Sequence, residues 1–213
     1  FFAIFVFEVR MSDNLNLNLI LKQKTQSLYK ELFRKTIHIC SAFVPSLLKV
    51  AYYHTIGLLF FALIAFCICE ILRLKGFHIP LVSNITETAA RRRDSNKFVL
   101  GPVTLVFGIL LAAIFLPNEA ARIGIYALAF GDGTASLVGK LIGRVIIPWS
   151  GGKTAAGSLA CFVGVYISCF FVCKNAFGSL LIALFGMIIE LLPLKDFDNL
   201  LIPIAIGSLF LII

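Results

Sequence analysis

The chain has 213 residues, of which 60% are hydrophobic and only 14% charged, against about 25% charged in a soluble domain. Its long apolar runs recur along the whole length, which excludes an ordinary soluble domain and predicts a single integral membrane domain. The formal net charge is +8, but the cations cluster between apolar runs, where they fit cytoplasmic loops facing anionic lipid headgroups and argue against nucleic-acid binding.

Phe1 to Phe7 is apolar but too short to span and has no basic flank before it, so it does not read as a signal peptide. Met11 is a candidate start, which would make residues 1–10 an extension outside the native chain. Residues 12–35 are polar and turn basic toward their end, with Lys22, Lys24, Lys30, Arg34 and Lys35 against Glu31. They predict a juxtamembrane helix lying on the membrane surface. A first span is expected at 36–53, interrupted by Pro45 and Lys49, and a second at 55–72, close to Glu70 and Arg73. Residues 73–98 read as a hydrophilic loop in which Arg91, Arg92 and Arg93 anchor to headgroups and set the topology. A third span covers 99–116 and stops at Pro117-Asn118-Glu119; a fourth covers 120–141. The loop 142–153 leads to a fifth span at 155–173, a sixth at 177–192 and a seventh at 200–213.

The expected fold is therefore all-α: a polytopic membrane bundle of about seven transmembrane helices. It divides into a juxtamembrane segment, 1–35, and a membrane-embedded catalytic domain, 36–213. Seven spans put the basic N-terminal segment and the loops 73–98 and 140–153 on one side, the cytoplasm, with the C-terminus opposite. The protein is expected to be multi-pass, in the plasma membrane of a bacterium or the endoplasmic reticulum or plastid membrane of a eukaryote. No internal repeat is visible, which disfavours an inverted-repeat transporter.

The six cysteines, Cys40, Cys67, Cys69, Cys161, Cys169 and Cys173, all lie in apolar runs without a C-x-x-C pair or zinc-type histidine spacing. They read as packing residues. His54 and His78 read as surface residues, and His38 as either a packing residue or a catalytic one.

The most informative polar string is Gly131-Asp132-Gly133-Thr134-Ala135-Ser136, continuing to Gly139-Lys140 and Gly143-Arg144. A carboxylate at a membrane helix centre costs at least about 2.5 kcal/mol and usually marks a site. On a helix, Asp132, Ser136 and Lys140 recur every four residues on one face. Gly131, Ala135, Gly139 and Gly143 form a second row that lets another helix or a ligand's phosphates approach the backbone. The plainer alternative is a packing seam with one Asp near the surface. Taken alone, burying the Asp132 charge is a cost, so Asp132→Asn is expected to leave the fold intact.

Ser150-Gly151-Gly152-Lys153-Thr154 resembles part of a Walker A loop, but position 147 is Ile rather than Gly and no strand precedes it. Open glycine N–H groups, the Lys153 charge and a following helix N-terminus still make an anion site, or simply a capped span. Glu190 and Asp196-Phe197-Asp198-Asn199 bring carboxylates to one span end, where Asp198 or Asn199 could also be a helix cap. The expected topology gathers Asp132, Lys140, Arg144, Lys153, Glu190 and Asp198 at the cytoplasmic face. Carboxylates able to hold Mg²⁺ then share a surface with cations able to hold phosphates.

Taken together, Arg34-Lys35-x-x-His38, Glu70-x-x-Arg73, the Gly131-Asp132 string, Lys153-Thr154-x-x-Gly157-Ser158, Glu190 and Asp198-Asn199 resemble the polyprenol kinase family. That family includes dolichol kinase, phytol kinase and CTP-dependent diacylglycerol kinase. The resemblance runs from about residue 30 to the end. It implies transfer of a phosphoryl group from CTP, with Mg²⁺, to the hydroxyl of a membrane lipid alcohol. Asp132, Lys140, Glu190 and Asp198 are the implied catalytic residues, and Asp132, Glu190 and Asp198 the implied metal ligands. Gly131, Gly133, Ser136, Gly139, Arg144, Lys153, Thr154, Gly157, Ser158 and Asn199 are expected to bind the nucleotide. Many members carry Glu where this chain has Ala156. The competing readings are a cytidylyltransferase making a CDP-lipid from phosphatidate, and a non-catalytic transporter or scaffold.

Overall fold

The structure is a computed structural model that describes residues 21–23, 25–77, 86 and 97–213. Residues 1–7, Met11, His78 and residues 91–93, singled out above, lie outside the described residues. Among the described residues the architecture is all-helical, with no strand beyond an isolated bridge between Ile146 and Thr154.

Helix α1 covers residues 25–40, so it runs without a break through the boundary drawn at residue 35. A 3-10 turn, Ser41–Phe43, leads into α2, Val44–Val50, where Pro45 occupies the first turn and needs no backbone donor. Ala51 alone links α2 to α3, Tyr52–Leu74, and the Tyr52 hydroxyl donates to Ala113 O at 3.1 Å. Then come α4, Gly101–Phe115; α5, Asn118–Tyr126; a π turn, Ala127–Asp132; and α6, Gly133–Ile142. Helix α7, Ala155–Cys173, is capped by Thr154, and α8, Ala176–Leu191, by Asn175, whose Oδ1 accepts from Gly178 N at 3.0 Å. The last helix is α9, Asp198–Phe210.

Two helices, α3 with 23 residues and α7 with 19, are each long and apolar enough to cross a membrane. Helices α4, α8 and α9 are apolar but shorter. The core runs through α4, α5, the π turn, α7, α8 and α9, where Ile109, Ile123, Leu128, Val165, Ile182 and Ile206 cluster. Helix α9 is seated unusually close to its neighbours. Pro203 lies inside it and lacks the N–H that would engage the carbonyl four residues earlier, at Asn199. That carbonyl instead rests against Gly108 of α4, where an added Cβ would lie 2.3 Å away. On the other side, Gly124 of α5 is equally tight against the Pro203 carbonyl, at 2.1 Å. Helix α9 thus closes on both partners at backbone contact. By contrast, α3 leaves most of its large apolar side chains exposed, including Leu58, Phe61, Ile64 and Ile68.

Candidate active site

One end of the bundle holds a cavity of about 400 Å³, walled by segments distant in sequence: α1, α6, the loop before α7, and the ends of α8 and α9. Its cationic lining residues are Arg34, Lys35, Lys140, Lys153 and Lys195, interleaved with the acidic Glu31, Asp132, Glu190 and Asp198.

Asp132 is placed by a π turn, which puts an extra residue into the helical path before α6 begins. Its Oδ2 accepts from Lys35 Nζ and lies 3.1 Å from His38 Nδ1. All three side chains are almost fully buried. From Asp132 the next two turns of α6 bring Ser136 and Lys140 to the same cavity. Lys140 Nζ reaches Glu31 Oε2 at 2.8 Å and Ser27 O at 3.5 Å, so α6 is tied to α1 at the rim. Glu31 also accepts from Arg34 Nη2. Burial pushes the Glu31 carboxyl up, but the Arg34 guanidinium and the Lys140 and Lys35 ammonium groups more than offset that. Its pKa is held below the usual carboxylate value.

The loop before α7 is a short hairpin. Ile147 N donates to Lys153 O at 2.9 Å, and Ala155 N to Val145 O at 3.0 Å. Gly151 and Gly152 make its bend with φ of 72° and 98°, a region that a side chain disfavours. Ser150 Oγ accepts from Lys153 N at 3.0 Å and fixes the bend. Lys153 extends from it to Glu190, donating to the backbone carbonyl and lying 3.4 Å from Oε1. Ser158 Oγ donates to Glu190 Oε2 at 3.2 Å.

Ser136, Gly139, Lys140, Lys153, Thr154, Gly157, Asp132, Glu190 and Asp198, singled out from the sequence, all line the cavity. Others stand elsewhere. Gly131 packs on α7, where a Cβ would lie 2.7 Å from Val165 Cγ2, and Gly133 packs on Ile39. The glycine row therefore serves first as a helix seam: a Cβ on Gly157 would fall 2.7 Å from Ala135 O, and one on Gly139 would fall 2.9 Å from Thr154 Oγ1. Of that row, Ala135 and Gly139 also border the cavity, as does Gly157 of α7. Arg144 is exposed and does not line it. Ser158 stands behind Glu190 rather than in the wall. Asn199 neither lines the cavity nor caps α9; its Nδ2 donates to Thr104 Oγ1 at 3.1 Å and Gly101 O at 3.3 Å, fastening α9 to the start of α4. Thr154 Oγ1 accepts from Gly157 N at 3.2 Å, so the hydroxyl oxygen already serves as the α7 cap.

Glu31, Arg34, Lys35 and Lys195 line the cavity; of these, Arg34 and Lys35 stand out in the sequence only through their motif, and Glu31 and Lys195 not as site residues. A signal existed for the first group: Glu31, Lys35 and His38 are spaced four and three apart, one face of a helix. Lys195 gave none, because its place depends on a left-handed backbone, φ 60°, in the link from α8 to α9. The Glu70-x-x-Arg73 element forms a separate clamp. Arg73 donates twice to Glu70, at 2.8 and 2.7 Å, Val99 N donates to Glu70 Oε1 at 2.9 Å, and Arg73 donates to Lys97 O at 3.0 Å. It joins α3 to the approach to α4.

Among the described residues no group of three or more His, Cys, Asp or Glu side chains could hold a metal by itself. Mg²⁺ does not need one, since it commonly takes one or two carboxylates and completes its shell with water and phosphate oxygens. Asp132, Glu190 and Asp198 all line the cavity and each offers carboxylate oxygens of that kind.

Comparison with known proteins points the same way as the motifs. A probable phytol kinase 1 of Oryza sativa subsp. japonica is 27% identical over 92% of this chain and 67% of its own length. Phytol kinase 1 of Arabidopsis thaliana is 26% identical over 85% of this chain and 66% of its own. A CTP-dependent diacylglycerol kinase 1 of Eremothecium gossypii is 32% identical over 42% of this chain and 28% of its own. The chain thus spans about two thirds of the length of these plant relatives. No protein-family model and no solved structure matches it. With phytol kinases and a CTP-dependent diacylglycerol kinase among its relatives, the chain is similar to the polyprenol kinase family that its motifs resemble.

Proposed function

We propose that this chain is a multi-pass membrane kinase that moves a phosphoryl group from CTP to the hydroxyl of a membrane lipid alcohol. Polyprenol or dolichol, phytol and diacylglycerol are the acceptor class. In this reading about seven helical segments cross the bilayer and the cavity opens at the cytoplasmic face. The observation that carries it is the cavity itself, where Lys35, Asp132, Lys140, Lys153 and Glu190 converge beside the Gly151-Gly152 bend.

The chemistry requires placement and charge neutralisation more than covalent participation. The lipid oxygen attacks the γ-phosphorus in line. The bond from that phosphorus to the β,γ-bridging oxygen breaks, CDP leaves, and the hydroxyl proton passes to a cavity carboxylate, Asp132 or Glu190. Lys140, Lys153 and Arg34 offset the growing charge on the phosphate oxygens. They can do so because each now rests on a carboxylate or carbonyl that a phosphate can replace. Lys35 and His38 hold Asp132 in place and shield it from water. Mg²⁺, when bound, would add further neutralisation of the phosphates, and one or two of Asp132, Glu190 and Asp198 would offer it carboxylate oxygens.

The test is product analysis with purified protein and labelled CTP, offered the three alcohol acceptors and phosphatidate in turn. Release of CDP with a lipid monophosphate supports the kinase. Pyrophosphate with a CDP-lipid would make the chain a cytidylyltransferase, and lipid or ion flux without turnover would make it a transporter.

A further inference from the structure

We propose that the hairpin between Lys140 and Lys153 is a membrane-interface docking surface that sets the mouth of the cavity at the headgroup level of an anionic bilayer. The proposal rests on the membrane-enzyme reading but not on any turnover.

Lys140 and Ser150 both line the cavity. Between them, Leu141, Ile142, Val145, Ile146 and Trp149 are each 62–68% exposed. Five large apolar side chains turned outward within nine residues form a patch, not a scatter of single exposed residues. The exposure does not come from a frayed loop, because the hairpin is closed by the Ile147–Lys153 and Val145–Ala155 backbone bonds and the Ser150 side chain.

Three observations indicate what covers it. First, the hairpin carries Arg144, which is exposed and stands outside the cavity, with the half-exposed Lys140 at its edge, and the chain holds no Asp or Glu between Asp132 and Glu190. A basic, apolar and Trp-bearing surface matches anionic headgroups over acyl chains. Second, α7 leaves the hairpin with an exposed apolar stripe at Leu159, Val163, Ile167 and Phe171, four residues apart on one face. The stripe lies on one of the two helices able to cross a membrane, so the hairpin sits at the end of a lipid-facing surface. Third, a two-fold contact with a second copy would set Arg144 and its neighbours against the same charges. An acceptor whose hydroxyl lies at headgroup depth would then meet the cavity without leaving the bilayer.

Trp149 is the one tryptophan of the chain, so its fluorescence reports on this hairpin alone. The full chain is reconstituted in phosphatidylcholine–phosphatidylglycerol vesicles, with brominated phosphatidylcholines as the lipid quencher and iodide as the aqueous one. The expected result is blue-shifted emission, strong quenching by lipids brominated near the headgroup end of the chain, and weak quenching by iodide. Val145→Ser with Ile146→Ser, leaving Trp149 in place, should reduce bromine quenching roughly two-fold or more. Strong iodide quenching without bromine quenching would place the hairpin in water and overturn the proposal. Protection from both quenchers would mean that protein covers it, and would overturn the proposal equally. Unchanged bromine quenching in the double variant would show that the hairpin is not the inserting unit. A chain that proves not to be a kinase still gives one of these answers.

Discussion

Lys35 and Asp132, 97 residues apart in sequence, form an ion pair in the cavity wall, with both side chains almost completely shielded from solvent. The pair fastens the N-terminal helix to the polar turn of the fourth apolar run. It also alters what a substitution at Asp132 does. From sequence, Asp132→Asn relieves a buried charge; in the structure it leaves the buried Lys35 ammonium without its partner. Removing one member of a buried pair typically costs about 3–5 kcal/mol. Asp132→Asn and Lys35→Met should each lower the thermal unfolding midpoint in detergent micelles, and the double variant should recover most of the loss. All three should lack kinase activity. A double variant as unstable as the sum of the singles would show that the pair is not a coupled unit.

Lys153 tests the donor side. Lys153→Ala should weaken CTP binding by about tenfold or more while the protein still inserts and remains monodisperse, since one charge-assisted contact is worth about 1.5–3 kcal/mol. Lys153→Arg should restore only part, because a planar guanidinium cannot replace a compact ammonium at this bend. Unchanged affinity in Lys153→Ala would remove the residue from the site. As a companion, Ala156→Glu adds an acid in the first turn of α7, where the helix dipole favours it. Its turnover should stay level or rise.

Lys195 offers a separation of backbone from side chain. Its φ of 60° favours glycine, so Lys195→Gly should keep the link between α8 and α9 and leave stability level or slightly raised. The same change removes a cavity cation, so KM for CTP should rise several-fold with KM for the lipid unaltered. Equal CTP kinetics in wild type and variant would show that Lys195 only borders the cavity.

Glu31 supplies the acid dependence. Its folded pKa lies below the ordinary value of about 4.3. The sign follows from linkage: a depressed carboxylate contributes stability that is fully present above the unfolded value and is lost as pH falls through the folded one. The unfolding midpoint of the wild type should therefore exceed that of Glu31→Gln at pH 6, and the gap should close as the pH drops below about 4. A gap that persists in acid would mean that Glu31 acts through packing alone. At neutral pH the variant should also show a lower KM for CTP, because Arg34 and Lys140 no longer have to exchange a carboxylate for the phosphate.

The helical architecture was legible in the sequence because each apolar run is long and its breaks are chemically marked. Pro45, Pro117, Thr154 and Asn175 stand at helix starts or caps in the structure as their chemistry dictates. The four-residue spacing of Asp132, Ser136 and Lys140 likewise foretold that they share a face, since periodicity is a property of the local backbone. Motif order sufficed to suggest the family, and the relatives agree with it.

What spacing could not tell was which polar groups meet. The π turn at Ala127–Asp132, which no local residue pattern announces, ends at Asp132 and hands the chain on to α6. The choice between helix seam and ligand surface depended on how closely α7 approaches for Gly131 and Gly139, on the approach of α6 for Gly157, and on that of α1 for Gly133. Asn199 and Arg144 were grouped with the site because they adjoin it in sequence, but rotation around α9 and the course of the hairpin carry them elsewhere. Lys35 reached Asp132 only once α1 had packed across the end of the bundle. Local chemistry determined the helices and the residue types offered at their ends; long-range packing decided which charges are buried together, because a buried charge is tolerable only where the fold supplies its partner.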